Sequence, residues 1–396
     1  MMDYRRSIRR WACLLIAATL ILTGAAPVLA ESGAALESGS PFDLQTPAYI
    51  LVEAQTGQVI FEKNADDKRP VASITKLMPI LLTLEELDRG VIKLADKVHC
   101  SANAAGMGGS QALLDANTLY PMEDLFKSMI IASANDSAVA ISEYLNGSEE
   151  AFVKRMNERA AQLGMTNTHY KNVTGLPVDG QYTTARDVAT LSREVGKHPL
   201  YFKYSTIWMD TLTHPSGRTT DLTNTNRLIR FYEGADGFKT GSTNEARYCL
   251  SATAQRGNTR MIAVVLGTPA SQTRFDEARK MLEYGFANYQ LNAVAKGGDL
   301  LGAEVPVRFG ARNAVPAAIG SDVDLLLTKG KERDLAIEAT LAESLPAPVR
   351  KGDPIGEVKV TLNGETILTI PAVAAIDVPY PGFVEGVLTI IRNWKV

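Results

Sequence analysis

Apolar residues change period along the chain. Tyr49-Ile50-Leu51-Val52 and Val59-Ile60-Phe61 are short apolar runs separated by Gln55-Thr56-Gly57, which predicts a β-hairpin. Over residues 73–87 the apolar positions Ile74, Leu77, Met78, Leu81, Leu84 and Leu87 recur at helical spacing,. Asp88-Arg89-Gly90 supplies the stop,, and Pro79 is expected to kink this helix or loosen one turn. Helical spacing continues over 121–132, 137–145 and 149–163. After a loop, two strands are predicted at 247–254 and 260–266, joined as a hairpin by Gln255-Arg256-Gly257-Asn258-Thr259, and a last helix at 274–289. Strands at both ends with helices between them predict an α+β domain, one antiparallel sheet with helices packed on it.

The pattern shifts after Leu291. Lys296-Gly297-Gly298-Asp299 reads as a boundary, and short Val/Ile/Leu-rich runs follow. Val358-Lys359-Val360-Thr361-Leu362 and 366–370 flank Asn363-Gly364, the strongest short hairpin signal. Residues 46–292 are therefore expected to form the α+β domain and 295–380 a small all-β sandwich. In the segment 381–396, Phe383, Val384, Val387, Leu388, Ile391 and Trp394 fall at helical spacing. They fit an amphipathic helix on a membrane surface or a final element packed on the β domain. Gly386 and the β-branched Ile390 and Ile391 weigh against the helix.

At the other end, Arg5, Arg6, Arg9 and Arg10 precede an apolar stretch from Trp11 to Leu22, and Val28-Leu29-Ala30 precedes Glu31. Residues 1–30 read as a secretory signal peptide cleaved near Ala30, using the ordinary export route, with an uncleaved anchor as the alternative. Residues 31–45 are a small, polar, flexible leader. An exported protein on the outer face of the cytoplasmic membrane is the expectation.

Composition narrows the function. The 396 residues carry 41 Lys+Arg and 44 Asp+Glu, a net charge of −3, with no electrostatic footprint for nucleic acid. Cys13 leaves with the signal, and Cys100 and Cys249 allow one optional bridge at most,. Cys249 lies in an apolar strand and reads as a buried, inert thiol. His99, His169, His198 and His214 are scattered, without zinc-ligand spacing. No metal or cofactor is expected.

Three short patterns occur in order: Ser73-Ile74-Thr75-Lys76, Ser133-Ala134-Asn135 and Lys239-Thr240-Gly241. Singly, each has a plain structural reading. Ser73 suits an N-cap and Lys76 a solvated first turn, Ser133 and Asn135 suit caps of the next helix, and the third suits a turn before the hairpin. Together they fit serine acyl transfer. A serine hydroxyl needs a base to become nucleophilic, and residues three apart on a helix share a face, so Lys76 can serve Ser73. Desolvation and a nearby cation, here Lys239, would keep that lysine partly neutral. Ser133 could relay a proton to the leaving amine. Asn135 could donate to a substrate carbonyl or fix Lys76. Lys239 and Thr240 could grip a carboxylate, and Gly241 would admit a substrate backbone to the strand edge.

With Met107-Gly108-Gly109-Ser110, Ile131-Ala132-Ser133-Ala134-Asn135-Asp136 and Asp236-Gly237-Phe238-Lys239-Thr240-Gly241, the chain resembles the low-molecular-mass penicillin-binding proteins that act as serine-type D-alanyl-D-alanine carboxypeptidases. The likeness is close over 43–290 and looser over the β domain and tail. It implies a β-lactamase/transpeptidase-like catalytic domain and a β domain. It also implies an amphipathic C-terminal helix that holds type-5 members on the membrane. Ser73 would be the acylated nucleophile, Lys76 the base, and Ser133 and Asn135 the second element. Lys239, Thr240 and Gly241 would be the third element, with the N–H groups of Ser73 and Ser242 as the oxyanion hole. Arg274 would stand near the substrate carboxylate. Expected partners are peptidoglycan stem peptides ending in D-Ala-D-Ala and β-lactam antibiotics.

Three competitors share features of this reading. A class A β-lactamase needs a glutamate-activated water, and Glu143-Tyr144-Leu145-Asn146 only superficially resembles the element that supplies it. A cross-link-cleaving endopeptidase would use the same machinery. A scaffold retaining the fold without turnover would not need all three patterns intact.

Overall fold

The computed structural model describes residues 36–37 and 39–383. The expected signal segment, and the tail beyond Phe383, lie outside the described residues. Among the described residues no helix is long and apolar enough to cross a membrane.

One five-stranded antiparallel sheet organises residues 48–288. Its order is Val59–Lys63, Ala48–Glu53, Thr259–Thr268, Arg247–Arg256 and Ala235–Thr243. The predicted N-terminal hairpin thus joins the predicted C-terminal one, with Ala48 opposite Leu266 and Glu53 opposite Met261. The central strand Thr259–Thr268 reads as a near-continuous apolar run because both its faces are covered. Ile262, Val264 and Leu266 enter a core with Leu77, Leu81 and Phe126 of the helical layer. Met261, Ala263 and Val265 enter a second core with Phe275, Met281, Leu282 and Phe286 of the helix Ser271–Asn288.

The structure corrects several expectations. Residues Ala72–Lys76 form a 3-10 turn, and the α-helix proper is Leu77–Asp88. Pro79 therefore falls in its first turn, where the missing N–H is one that a helix leaves unpaired. It breaks no interior hydrogen bond, and no kink is required of it. The helix expected from 137 starts at Asn135, and the last one starts at Ser271. Lys239-Thr240-Gly241 is no turn before a hairpin but the middle of a nine-residue edge strand, Ala235–Thr243. Between 163 and 235, where no element was predicted, lie the helices Ala185–Val195 and Pro199–Ser205 and the hairpin Met209–Thr213 with Thr219–Thr223.

Residues 300–374 are all-β. A six-stranded sheet runs Leu335–Leu341, Pro354–Leu362, Glu365–Ala374, Ala314–Ile319, Leu300–Arg308 and Leu345–Pro346. The Asn363-Gly364 hairpin forms as predicted, with both turn residues at positive φ. The strand Tyr289–Ala295 begins where the helix Ser271–Asn288 ends and pairs with Val323–Thr328. It ends at Ala295, just before Lys296-Gly297-Gly298-Asp299, and Tyr289 and Leu326 pack into the second core.

Candidate active site

The first element is the turn Ala72–Lys76. In a 3-10 turn side chains three apart eclipse each other, and Lys76 Nζ lies 2.9 Å from Ser73 Oγ. Nζ also donates to the Thr174 carbonyl at 2.8 Å. Lys76 is 0% exposed. Burial holds its amine well below the ordinary lysine range; the Lys239 charge pushes the same way and Asp136 opposes both. Burial, rather than the neighbouring cation, is the larger cause.

The second element joins the helices Met122–Ile131 and Asn135–Asn146. Ser133 turns the chain at φ 63°. Asn135 N–H donates to the Ser110 carbonyl at 2.8 Å and Asn135 Nδ2 to the Gly108 carbonyl at 2.6 Å. Asp136, which the sequence reading passed over, accepts from the N–H groups of Ala112, Leu114 and Ser137. It thereby clamps the 108–114 loop beside the motif. Ser133 Oγ and Asn135 Oδ1 are buried and have no hydrogen-bond partner among the described residues. It is therefore the Thr174 carbonyl, not Asn135, that holds Lys76 beside Ser73.

The third element is the edge strand. Lys239 is 1% exposed, and its Nζ donates to the Thr240 carbonyl at 3.3 Å. Burial, followed by the Arg274 charge, pulls its amine down to about 7. Thr240 Oγ1 donates to Thr225 Oγ1 at 2.8 Å, and Thr225 N–H donates to the Ile131 carbonyl at 3.2 Å. Thr225, also unforeseen, so ties the third element to the second. Ser242 is exposed at the strand's end, opposite Tyr248.

Gly241 has a structural reason as well as the one expected. A Cβ there would lie 2.3 Å from the Val71 carbonyl oxygen and 3.1 Å from the Ser73 and Ile74 nitrogens. Its missing side chain lets the strand touch the Ala72–Lys76 turn itself. Arg274 braces the same strand, donating to the Gly241 carbonyl at 3.1 Å and the Cys249 carbonyl at 3.4 Å. Its guanidinium lies over the rings of Tyr248 and Phe275.

All three patterns thus meet around Lys76. Glu143, the apparent lactamase glutamate, is instead held by Asn103 Nδ2 at 2.9 Å. Cys100 and Cys249 are both buried free thiols, so the optional bridge is not made. Chemically, a hydroxyl against a desolvated amine, with cations on one side and unpaired polar groups on the other, suits acyl transfer to and from serine.

The comparisons with known proteins agree. The family model described as D-alanyl-D-alanine carboxypeptidase matches residues 35–270, and that of the penicillin-binding protein 5 C-terminal domain matches 289–380. The D-alanyl-D-alanine carboxypeptidase DacF of Bacillus subtilis is 35% identical over 388 residues, 98% of this chain and 99% of its own. The crystal structure of penicillin-binding protein 5 from Haemophilus influenzae superposes with a TM-score of 0.78 at 30% identity, covering 86% of this chain and 99% of that one. Penicillin-binding protein D2 of Listeria monocytogenes, in an ampicillin-bound form, gives 0.54 at 32% identity, covering 62% and 99%. The chain belongs to the D-alanyl-D-alanine carboxypeptidase family of penicillin-binding proteins. Its activity is that of a D-Ala-D-Ala carboxypeptidase, a hydrolase of cell-wall peptides.

Because Gly241 backs directly onto the turn that carries Ser73, Gly241→Ala is expected to displace Ser73 and slow penicillin acylation about 100-fold. The protein should stay folded by circular dichroism. Acylation at the parental rate would show that the close approach is unimportant.

Proposed function

We propose that Ser73 is the nucleophile that attacks the carbonyl between the two terminal D-alanines of a peptidoglycan stem pentapeptide. The observation that carries this is the desolvated Lys76 amine at 2.9 Å from the Ser73 hydroxyl. Lys76 takes the hydroxyl proton as the Oγ–carbon bond forms. Ser133, with its unpartnered Oγ, passes a proton to the leaving amine as the peptide bond breaks, and D-alanine departs. Water then cleaves the ester, releasing the shortened peptide and restoring the Ser73 hydroxyl. Asn135 orients the substrate amide, and the N–H groups of Ser73 and Ser242 receive the oxyanion. Lys239 and Thr240 hold the terminal carboxylate, and Arg274 supplies positive potential from behind the strand. A β-lactam acylates the same serine and stays, because Glu143, the apparent lactamase glutamate, is engaged by Asn103 instead of serving a deacylating water.

The physiological reading is an exported wall-trimming enzyme held at the outer face of the cytoplasmic membrane. Residues 1–30 direct export and the segment after Pro381 contacts the membrane surface. The 88% exposure of Phe383, the first apolar residue of that segment, supports this, as does the family's action on the cell wall.

Mass spectrometry of a pentapeptide substrate should show loss of one alanine, and Ser73→Ala should abolish both that loss and labelling by a fluorescent penicillin. Alanine release by the variant would refute the nucleophile assignment.

The two lysines set a pH profile. Lys76 works only when deprotonated, so kcat/KM rises through its lowered pKa. Lys239 grips a carboxylate only when protonated, so for carboxylate-terminated substrates kcat/KM falls above about 7,. Amide-terminated substrates should lack the falling limb, and Lys239→Ala should harm them less. Identical alkaline limbs on both substrates would remove the carboxylate role. Deletion from Gly382 onward should move the enzyme from the membrane to the soluble fraction with activity intact; an unchanged membrane fraction would favour a tail packed on the β domain.

A further inference from the structure

The Thr174 carbonyl that accepts from Lys76 Nζ belongs to a turn, 172–176, far from all three sequence patterns. We infer that Asn172 is the positioning residue of this turn: it aims the Thr174 carbonyl, and through it the lone pair of the Lys76 amine. The inference rests on Lys76 being the base.

Asn172 Oδ1 accepts from the Gly175 N–H at 2.7 Å and from Thr174 Oγ1 at 3.3 Å. Asn172 Nδ2 donates to the Leu176 carbonyl at 2.9 Å. One carboxamide therefore closes the turn from both of its ends. Gln181 backs it: its Oε1 accepts from the N–H groups of Lys171 and Asn172, and its Nε2 donates to Asn172 Oδ1 at 3.3 Å. The turn is also pressed onto the nucleophile segment. Gly175 has φ +81°, and a Cβ there would sit 1.9 Å from the Ala72 carbonyl oxygen and 3.0 Å from the Ser73 nitrogen. The turn that holds Lys76 thus also touches the backbone beside Ser73.

A neutral amine has two N–H bonds and one lone pair. With one N–H committed to the Thr174 carbonyl at 2.8 Å, the amine's rotation about its terminal bond is restricted. The remaining N–H and the lone pair then share the space beside the Ser73 hydroxyl, 2.9 Å away. Of the two, the lone pair is the one that takes the Ser73 proton. If the carbonyl drifts, the amine keeps its neighbour but loses its aim. Misplacement of about 1 Å is enough to cost about 100-fold in such a site.

The test compares Asn172→Ala and Asn172→Asp in the full chain. Asparagine to aspartate keeps the acceptor for the Gly175 N–H, while it loses the donor to Leu176 and adds a negative charge. Stopped-flow acylation by a penicillin, with active-site titration, gives the rate per competent serine across pH; peptide hydrolysis gives kcat and KM. We expect Asn172→Ala to lower acylation about 10- to 100-fold and kcat in parallel, with KM within about threefold. The acid limb of its pH profile should be displaced, and Asn172→Asp should recover most of the rate. A lesion that only removed folded enzyme would lower the titrated site count and leave rate per site and pH limb unchanged, which would overturn the inference. Parental rates in both variants, or equal loss in both, would also overturn it. Lys76→Ala serves as the separate control: if it acylates normally, the base assignment fails, whatever Asn172 does.

Discussion

An amine held out of water beside a hydroxyl is the constraint around which the molecule is arranged. Each unit by which a lysine pKa is lowered represents about 1.4 kcal/mol of discrimination against its charged form. Here that discrimination comes first from complete burial, with the Lys239 charge second and Asp136 acting against it. Burial of this kind requires packing on every side. The 3-10 turn supplies the Ser73 contact, the 172–176 turn closes above it, and the Lys239 strand closes beside it. Two glycines make the closure feasible. Gly175 and Gly241 both meet the 71–74 backbone at distances that no side chain would permit.

The same arrangement stores strain where chemistry is placed. Ala72, next to Ser73, and Ser133 in the second element both adopt positive φ, at 49° and 63°. Each such residue costs about 1–2 kcal/mol relative to ordinary backbone. They persist because surrounding contacts over-determine them. The Ile74 N–H donates to the Val71 carbonyl across Ala72, and the N–H groups of Ala134 and Asn135 donate to the Ser128 and Ser110 carbonyls. The sheet beneath, buried on both faces along Thr259–Thr268, gives these turns a rigid base. Arg274 carries that rigidity to the Lys239 strand through two carbonyls while its charge helps to lower the Lys239 amine.

Much of this was legible from sequence where side-chain pattern decides structure. The N-terminal hairpin, the helix after Lys76, the paired strands near 250 and 263 and the Asn363-Gly364 hairpin all follow apolar periodicity or turn chemistry. The three short patterns that the fold brings together stood out in the sequence because their residue types and order are chemically restrictive. What escaped was written in backbone rather than in side chains. The strand Ala235–Thr243 is poor in β-branched residues and holds two glycines, so tertiary pairing with Arg247–Arg256, not propensity, makes it a strand,. Gly241 looked like room for a ligand, and the fold adds that it is room for the chain itself. The Thr174 carbonyl has no sequence signature, since every residue carries one. Asn172 and Gly175 announce a turn, but only the fold says what that turn touches.

The site works as described only if burial holds the Lys76 amine well below the ordinary lysine range. That condition is tested most directly by NMR titration of the Lys76 side-chain nitrogen in uniformly labelled protein, assigned by its loss in Lys76→Arg. The account predicts a pKa far below that of the surface lysines. Titration of Lys76 together with them, near the ordinary value of about 10.4, would contradict it.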